Sequence, residues 1–329
     1  MTQPGTLFVP EVVVNGIPAI SLFSRASVIT IGTVQISNIG QQLGLDVWFS
    51  VRRTLKAGTP NTCDLKIWNL SNSSRFAIES SSQSVSTSIA NIAAAPGAPD
   101  TGVPVKIEAG YVGNMSTIFL GNMRSAQTVR DGEDLVTEIQ TGDGDDAMQV
   151  ARVNEHSGPT NAYAVAQKLL TAMGFPTSNT GNLNAVKSVM QASTLYQQGV
   201  LLKGNPADMM IDLCKSIGLE FSIQSNQPQF LSLGEPLAGS GYEFSSATGL
   251  IGNPSVDTKG ILTCVVLMVP GLKPGDPISM DAEFVTGNYR IESITTVGDS
   301  AGNDWCHRIE ARKLGVATPA KKAKHSRRG

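Results

Sequence analysis

The side chains best suited to chemistry in this chain are three histidines, His156, His307 and His325, and four cysteines, Cys63, Cys214, Cys264 and Cys306. No histidine has a cysteine, an aspartate or a second histidine at the spacing of a metal site. His307 follows Cys306 in a strand-like run, and neighbours in a strand point to opposite faces, so the two cannot share one ion and His307 reads as a structural or surface residue. Asp143-Gly144-Asp145-Asp146 opens like a calcium loop, but Asn154 stands where the bidentate glutamate belongs and the diagnostic glycine is missing. A turn at a strand end is the better reading. Glu133 with Asp134, and Glu108 with Glu138, offer carboxylate pairs, which without a pocket are solvated surface. The stripe Met209, Met210, Leu213 and Ile217 reads as the core face of a helix. No nucleophile elbow, P-loop or dinucleotide fingerprint is present. These residues point to no catalytic group, no cofactor and no metal, and so to a protein that is not an enzyme.

The elements that would carry such side chains are mostly strands. Between Asn61 and Asp146 four runs follow one another. Cys63-Asp64-Leu65-Lys66-Ile67-Trp68 alternates, with Cys63, Leu65 and Ile67 on one face. Val105 to Ala109 repeats the pattern with Lys106 and Glu108 on the wet side, and Ile118 begins a strand that runs to Val129. Arg130-Asp131-Gly132-Glu133 is a tight turn, and Leu135 to Gln140 returns from it. Period-two alternation with wet outer positions marks an antiparallel sheet with one face on a core. Upstream, Val12–Val14, Ile29–Thr33 and Val34–Ile36 suit strands or arm segments, and Leu45–Val51 is a better strand. A short helix is expected over Ser74–Ser80, followed by a Ser/Ala/Pro/Gly-rich loop over 80–102 that could hold a short helix at Ser86–Ala95. For that loop, partner contact and plain flexibility are equally good readings.

After Asp146 the period changes. Thr160–Met173 has helical spacing, Leu201–Gly204 is a short strand, and Asn205-Pro206 is an N-cap followed by Pro at the first helical position of a helix ending at Ile217. Leu219–Ile223 and Gln229–Leu233 form a hairpin, which completes an α+β insert. From about Gly241 the chain is all-β again, through Ile261–Val269, Asp276–Met280, Tyr289–Ile294 and Trp305–Ala311.

With 329 residues, 41% hydrophobic and 16% charged, the chain is too long for one ordinary core. The formal charge is −2, but the last eleven residues carry Lys321, Lys322, Lys324, Arg327 and Arg328 and no acid, so the body sits near −7. An acidic body is a poor nucleic-acid surface. The basic end is read either as a solvated, disordered terminus or as an arm that contacts an acidic partner or passing DNA. No run reaches the length of a membrane span, and Met1–Pro10 lacks the features of a secretory signal. The cysteines are therefore expected to be reduced and buried, and the protein to be soluble and made in a cytosol.

Two stretches resemble a known family. Asn61 to Ser71, with Val105 to Tyr111 and Phe119-Leu120-Gly121, is similar to the first tube-like domain of baseplate hub proteins of contractile-tailed bacteriophages. Gly249 to Pro254, Lys259-Gly260-Ile261, Leu267 to Gly275, Gly287 to Ile291 and Gly298 to Trp305 look like the C-terminal half of the same hubs. The resemblance covers most of residues 45–314. It implies a mainly β fold with two tail-tube-like β-barrel domains: 1–146, with an N-terminal arm and the loop 80–102, and 241–316, with the α+β insertion 147–240 and a basic disordered tail 317–329. It also implies a homotrimeric structural virion protein in the tail baseplate, assembled in the host cytoplasm. Its partners would be the tail tube protein, the central spike protein, other baseplate proteins and the tape measure protein, with DNA only in transit through the lumen. The alternative is a hexameric tail tube or distal tail protein, and a receptor-binding module ranks below both, since only 5% of residues are aromatic.

Overall fold

Strand alternation dictates the first half of the chain, and the computed structural model describes it through residues 11–14, 17–21, 24–39, 44–92, 102–144, 148, 151–193, 196–239 and 241–314. Strands β1 (Glu11–Val14) and β2 (Ile17–Ser21) form one hairpin, and β3 (Arg25–Ile31) and β4 (Val34–Ile39) another. They are followed by β5 (Val47–Thr54), β6 (Asn61–Trp68), helix α1 (Asn72–Ile92), β7 (Pro104–Tyr111), β8 (Asn114–Asp131) and β9 (Asp134–Asp143). The faces fall where alternation puts them. Cys63, Leu65 and Ile67 are buried, as are Val105, Ile107 and Ala109. Lys66 reaches across to Glu138 at 2.7 Å, and Lys106 pairs with Glu108 at 2.8 Å, both on the outer face. Gly132, at φ 62°, supplies the left-handed residue that the β8–β9 turn requires.

Helix α1 corrects one expectation. The short helix expected to end at Ser80 is instead a 21-residue helix that runs to Ile92, so 80–92 is not a loop, while 93–101 lies outside the described residues. Its Ser-rich sequence has little intrinsic helix propensity. Tertiary contact supplies the rest: the helix lies on β8, Ile78 is buried, and the Ser82 hydroxyl accepts from the Ala126 amide at 2.9 Å.

The insert comprises β10 (Val153–Ser157), α2 (Ala162–Ala172), a 3-10 turn (Leu183–Val186), α3 (Lys187–Ala192), β11 (Val200–Gly204), α4 (Pro206–Ser216), β12 (Leu219–Gln224) and β13 (Gln227–Ser232). Asn205 caps α4 through the Ala207 amide at 2.8 Å, with Pro206 in the first turn. Met210 and Leu213 are buried in a core that belongs to the insert, which also holds Leu169, Phe221 and Phe230. The expected stripe is core.

The chain then returns to strands: β14 (Tyr242–Ser245), β15 (Leu250–Val256), β16 (Ile261–Leu267), β17 (Pro277–Ala282), β18 (Val285–Asp299) and β19 (Trp305–Lys313). A 15-stranded sheet runs in the order β2-β1-β14-β17-β18-β5-β6-β9-β8-β7-β3-β4, with β19, β16 and β15 branching from β18. All its ladders are antiparallel except β14–β17. Closed barrels are not what this hydrogen bonding describes. Among the described residues β2, β4 and β15 end the ladder unpaired on one side. The reason lies in β18, which at 15 residues is long enough to pair with β17 near its start and with both β19 and β5 farther on. It thereby merges the two β regions into one sheet, and a single core holds Phe49, Ile107 and Phe119 together with Ile294, Trp305 and Ile309.

The four cysteines are free and buried, and burial pushes the Cys214 and Cys264 thiols up to about 12. Among the described residues no helix is long and apolar enough to cross a membrane.

Candidate assembly surfaces and the junction behind them

The residues singled out in sequence scatter. Lys321, Lys322, Lys324, Arg327, Arg328 and His325 lie outside the described residues. His307 is fully buried: one ring nitrogen, Nε2, lies 3.0 Å from the Val269 carbonyl, and Nδ1 lies 2.8 Å from the Thr296 hydroxyl. The carbonyl can only accept, so Nε2 carries the proton and Nδ1 accepts from Thr296. Burial lowers this imidazole to about 4, and the ring ties two strands to the loop after β16. Among the described residues no three His, Cys, Asp or Glu side chains gather as a metal site. Trp48 and Trp68 stand on strands of the large sheet, half-buried on the face away from its core.

The turn after β9 has a use that its sequence did not announce. Asp143 ends β9 directly opposite Asn61, which begins β6. Its carboxylate accepts from the Ser225 amide at 2.7 Å, the Asn226 amide at 2.7 Å and Asn61 Nδ2 at 3.0 Å. Ser225 and Asn226 sit at φ 52° and 57°, the two left-handed centres of the β12–β13 turn. The sheet thus grips the insert by its hairpin tip. Asn61 also donates to the Ile223 carbonyl at 2.8 Å, and Gln224 donates to the Thr54 carbonyl at 2.8 Å. Burial raises the Asp143 carboxyl, while the bonds from Asn61 and the two amides and the nearby Arg53 act against that rise. Beside it, buried Arg53 donates to the Leu272 carbonyl at 2.6 Å, and burial lowers its guanidinium to about 10. Asp276, which accepts from the Lys273 amide at 2.9 Å, is raised by burial to about 6.

A second tie is Arg290 on β18, 2% exposed. It donates to Glu220 on β12 at 2.7 Å, to Glu292 at 2.6 Å and to the Glu235 carbonyl at 3.1 Å. Burial opposes its charge, but the two carboxylates outweigh that and hold the guanidinium above its ordinary value. The local pair with Glu292 does not reveal the tie to the insert, since Glu220 is 70 residues away. Between these ties the insert and sheet leave a cleft of about 560 Å³, lined by Leu55, Ile211, Phe221 and Leu233 with Lys215 and Glu310 at its polar side. Its lining includes Ser293, whose hydroxyl donates to the Glu310 carboxylate at 2.8 Å.

The outer surface is more suggestive. Among the described residues, strands β4 and β15 present unpaired edges. Phe284, 77% exposed, stands at the tip of the β17–β18 hairpin, and Phe76, 74% exposed, stands on α1. A hollow of about 610 Å³ opens beside β15, lined by Tyr111, Ile251, Leu267 and Trp305 with Arg25 and Arg308. Arg25 braces its floor, donating to the carbonyls of Asp299 at 3.0 Å, Gly302 at 2.7 Å and Asn303 at 3.0 Å, with its guanidinium over the Trp305 ring. Open edges and exposed aromatics are what a protein covers with neighbours.

Neither a family model nor a curated protein sequence matches the chain. Its three-dimensional arrangement does have counterparts. The 43 kDa tail protein of prophage MuSo2 from Shewanella oneidensis superposes with a TM-score of 0.58 at 10% identity, over 88% of this chain and 98% of that one. The tail protein from Neisseria meningitidis MC58 gives 0.56 at 8% identity, over 89% and 98%. The chain has the fold of phage tail proteins. The same arrangement occurs in the E. coli c3393 protein, a component of the type VI secretion system with structural similarity to the T4 bacteriophage tail proteins gp27 and gp5, at a TM-score of 0.53 and 12% identity, over 87% and 76%. Identities this low speak to fold alone.

Proposed function

We propose that this chain is a structural protein of a phage tail, and specifically the central baseplate hub. In this reading it is a homotrimer that forms a pseudo-sixfold ring, joins the tail tube to the central spike and leaves a channel for DNA ejection. The observation that carries the tail role is the shared fold over 88% and 89% of the chain, too much to be one β region alone. The hub assignment adds a physical argument. One chain offers two β regions fused through β5 and β18, so three chains supply six β units, and tube-like barrels would be completed between subunits across the open edges of β4 and β15. The units are 1–146 and 241–316, with 147–240 as the insertion, and outward pairs such as Lys106 and Glu108 are candidates for the lumen. The basic residues Lys321, Lys322, Lys324, Arg327 and Arg328 contact an acidic neighbour in the baseplate.

The mass of the purified protein, measured in solution at several concentrations, tests this. A trimer, alone or once the spike protein is added, supports the hub. A stable hexamer moves the assignment to a tail tube or distal tail protein, and a monomer that no tail partner assembles ends it. Deleting Pro319–Gly329 is expected to lower tail assembly without disturbing the trimer; an unchanged tail yield would discard the role given to the basic end.

A further inference from the structure

The tip of the β17–β18 hairpin and the hollow beside β15 lie towards opposite ends of β18. At the tip, Phe284 is 77% exposed, and Asp281 and Glu283 flank it, both exposed and without an ion-pair partner among the described residues. At the far end, β18 pairs Gly298 with Trp305, a buried ring beneath the 610 Å³ hollow. The hollow has aliphatic walls in Ile251, Val265 and Leu267 above the buried rings of Tyr111 and Trp305, and the cations Arg25 and Arg308 face a single carboxylate, Asp304, which sits 3.9 Å from Arg308. An acidic tip bearing an exposed aromatic thus matches a cationic hollow with apolar walls. One copy cannot satisfy itself, because from Phe284 to Gly298 the strand covers about 45 Å at roughly 3.3 Å per residue.

We propose that the occupant of this hollow is the β17–β18 tip of a second copy of this chain, with Phe284 seated against Ile251, Val265 and Leu267 and with Asp281 and Glu283 towards Arg25 and Arg308. Such a contact is head-to-tail, the kind that generates a ring when the rotation closes. It lays the incoming hairpin beside the unpaired edge of β15, where Ile251 is 44% exposed, and so covers a strand edge as well as a side chain. A fingertip alone is smaller than the roughly 1,200–2,000 Å² of a stable interface, so it acts as the anchor within a wider contact that includes that edge. The contact deepens the trimer reading and rests on it.

The experiment is sedimentation equilibrium on the full chain and three variants. Phe284→Ala is expected to weaken self-association roughly tenfold or more, as loss of a buried aromatic anchor does. Glu283→Arg is expected to weaken it, and Arg308→Glu added to Glu283→Arg to restore part of the loss. Both positions are exposed, so folding is preserved and circular dichroism checks it. A photo-crosslinker placed at position 284 is expected to join copies at peptides containing Ile251 or Leu267. A trimer that none of these changes weakens, or crosslinks confined to other surfaces, overturns the contact and leaves the trimer standing. A hexamer that dissociates on Phe284→Ala keeps the contact and ends the hub reading. A chain that stays monomeric at every concentration, with or without the spike protein, ends both.

Discussion

The interior of the large sheet and its junction with the insert are held together by opposite means. Inside the sheet, Phe49 packs edge-on to Trp305 at 5.7 Å between ring centroids, among Ile107, Phe119, Ile294 and Ile309. These contacts are non-directional and grow with the apolar area removed from water. At the junction, Asn61, Asp143, Gln224 and Arg290 meet specific partners over 2.7–3.2 Å. Each costs desolvation, which the partner offsets only when placed correctly. The insert keeps a hydrophobic core of its own, so the junction adds position rather than bulk stability. The sheet is packed; the insert is aimed.

The largest effect that tests this contrast is expected inside the sheet. Phe49→Ala should cost about 3–5 kcal/mol in urea denaturation, because the ring lies hard against the Gly298 backbone and its removal leaves a cavity. A loss under about 1 kcal/mol would mean that the wall there can collapse freely. Arg290→Ala should cost about 3 kcal/mol, since it removes the guanidinium from Glu220 and leaves Glu292 only the longer pair with Arg312 at 3.5 Å. Its signature should be local: limited proteolysis is expected to open the insert while the sheet stays resistant. Equal loss of both would erase the distinction between the two regions.

The pH dependence sharpens it further. Burial raises Asp276 from 3.8 to about 6, so between those values the folded chain holds a proton that the unfolded chain has released, and stability from this group falls as pH rises through the window. Asp143, also raised by burial, slopes the same way. His307, lowered by burial from 6.5 to about 4, does the reverse: the unfolded chain binds the extra proton, and stability falls as pH drops through that window. The slopes oppose each other, each amounting to roughly 3 kcal/mol at about 1.4 kcal/mol per pH decade. Asp276→Asn is therefore expected to make the chain lose stability on acidification from 6.5 to 4, and His307→Gln to make it lose stability on going from 4 to 6. Parallel pH profiles in the wild type and both variants would show that these groups do not titrate with folding. The smallest effect is expected at the surface, where Lys66→Ala removes the 2.7 Å pair with Glu138 and should change stability by less than about 1 kcal/mol, since both partners stay wet.

Much of the sheet was legible without coordinates. The faces of β6 and β7, the glycine turn at Gly132, the Asn205 cap on α4 and the burial of the cysteines all follow from local patterns, because a period of two or 3.6 residues reports directly on which face meets a core. Helix α1 was only half legible, since serine is a poor helix former and what carries the helix to Ile92 is its seat on β8. Strands β10, β14 and β15 carry weak alternation and went unseen. Of the junction, only a turn at Asp143 could be read. That its carboxylate holds the amides of Ser225 and Asn226, 82 and 83 residues on, leaves no mark in either stretch.

By itself, then, the sequence determined a β protein with an α+β insert and an acidic body with a basic end. Tertiary structure alone decided that β18 is shared between β regions, so that the sheet runs on instead of closing, and that buried Arg290 and Asp143 hold the insert. The reason is physical. Alternation is a property of neighbours along the chain, whereas the register of a shared strand and the partner of a buried charge depend on segments tens to hundreds of residues apart that meet only when the chain has folded.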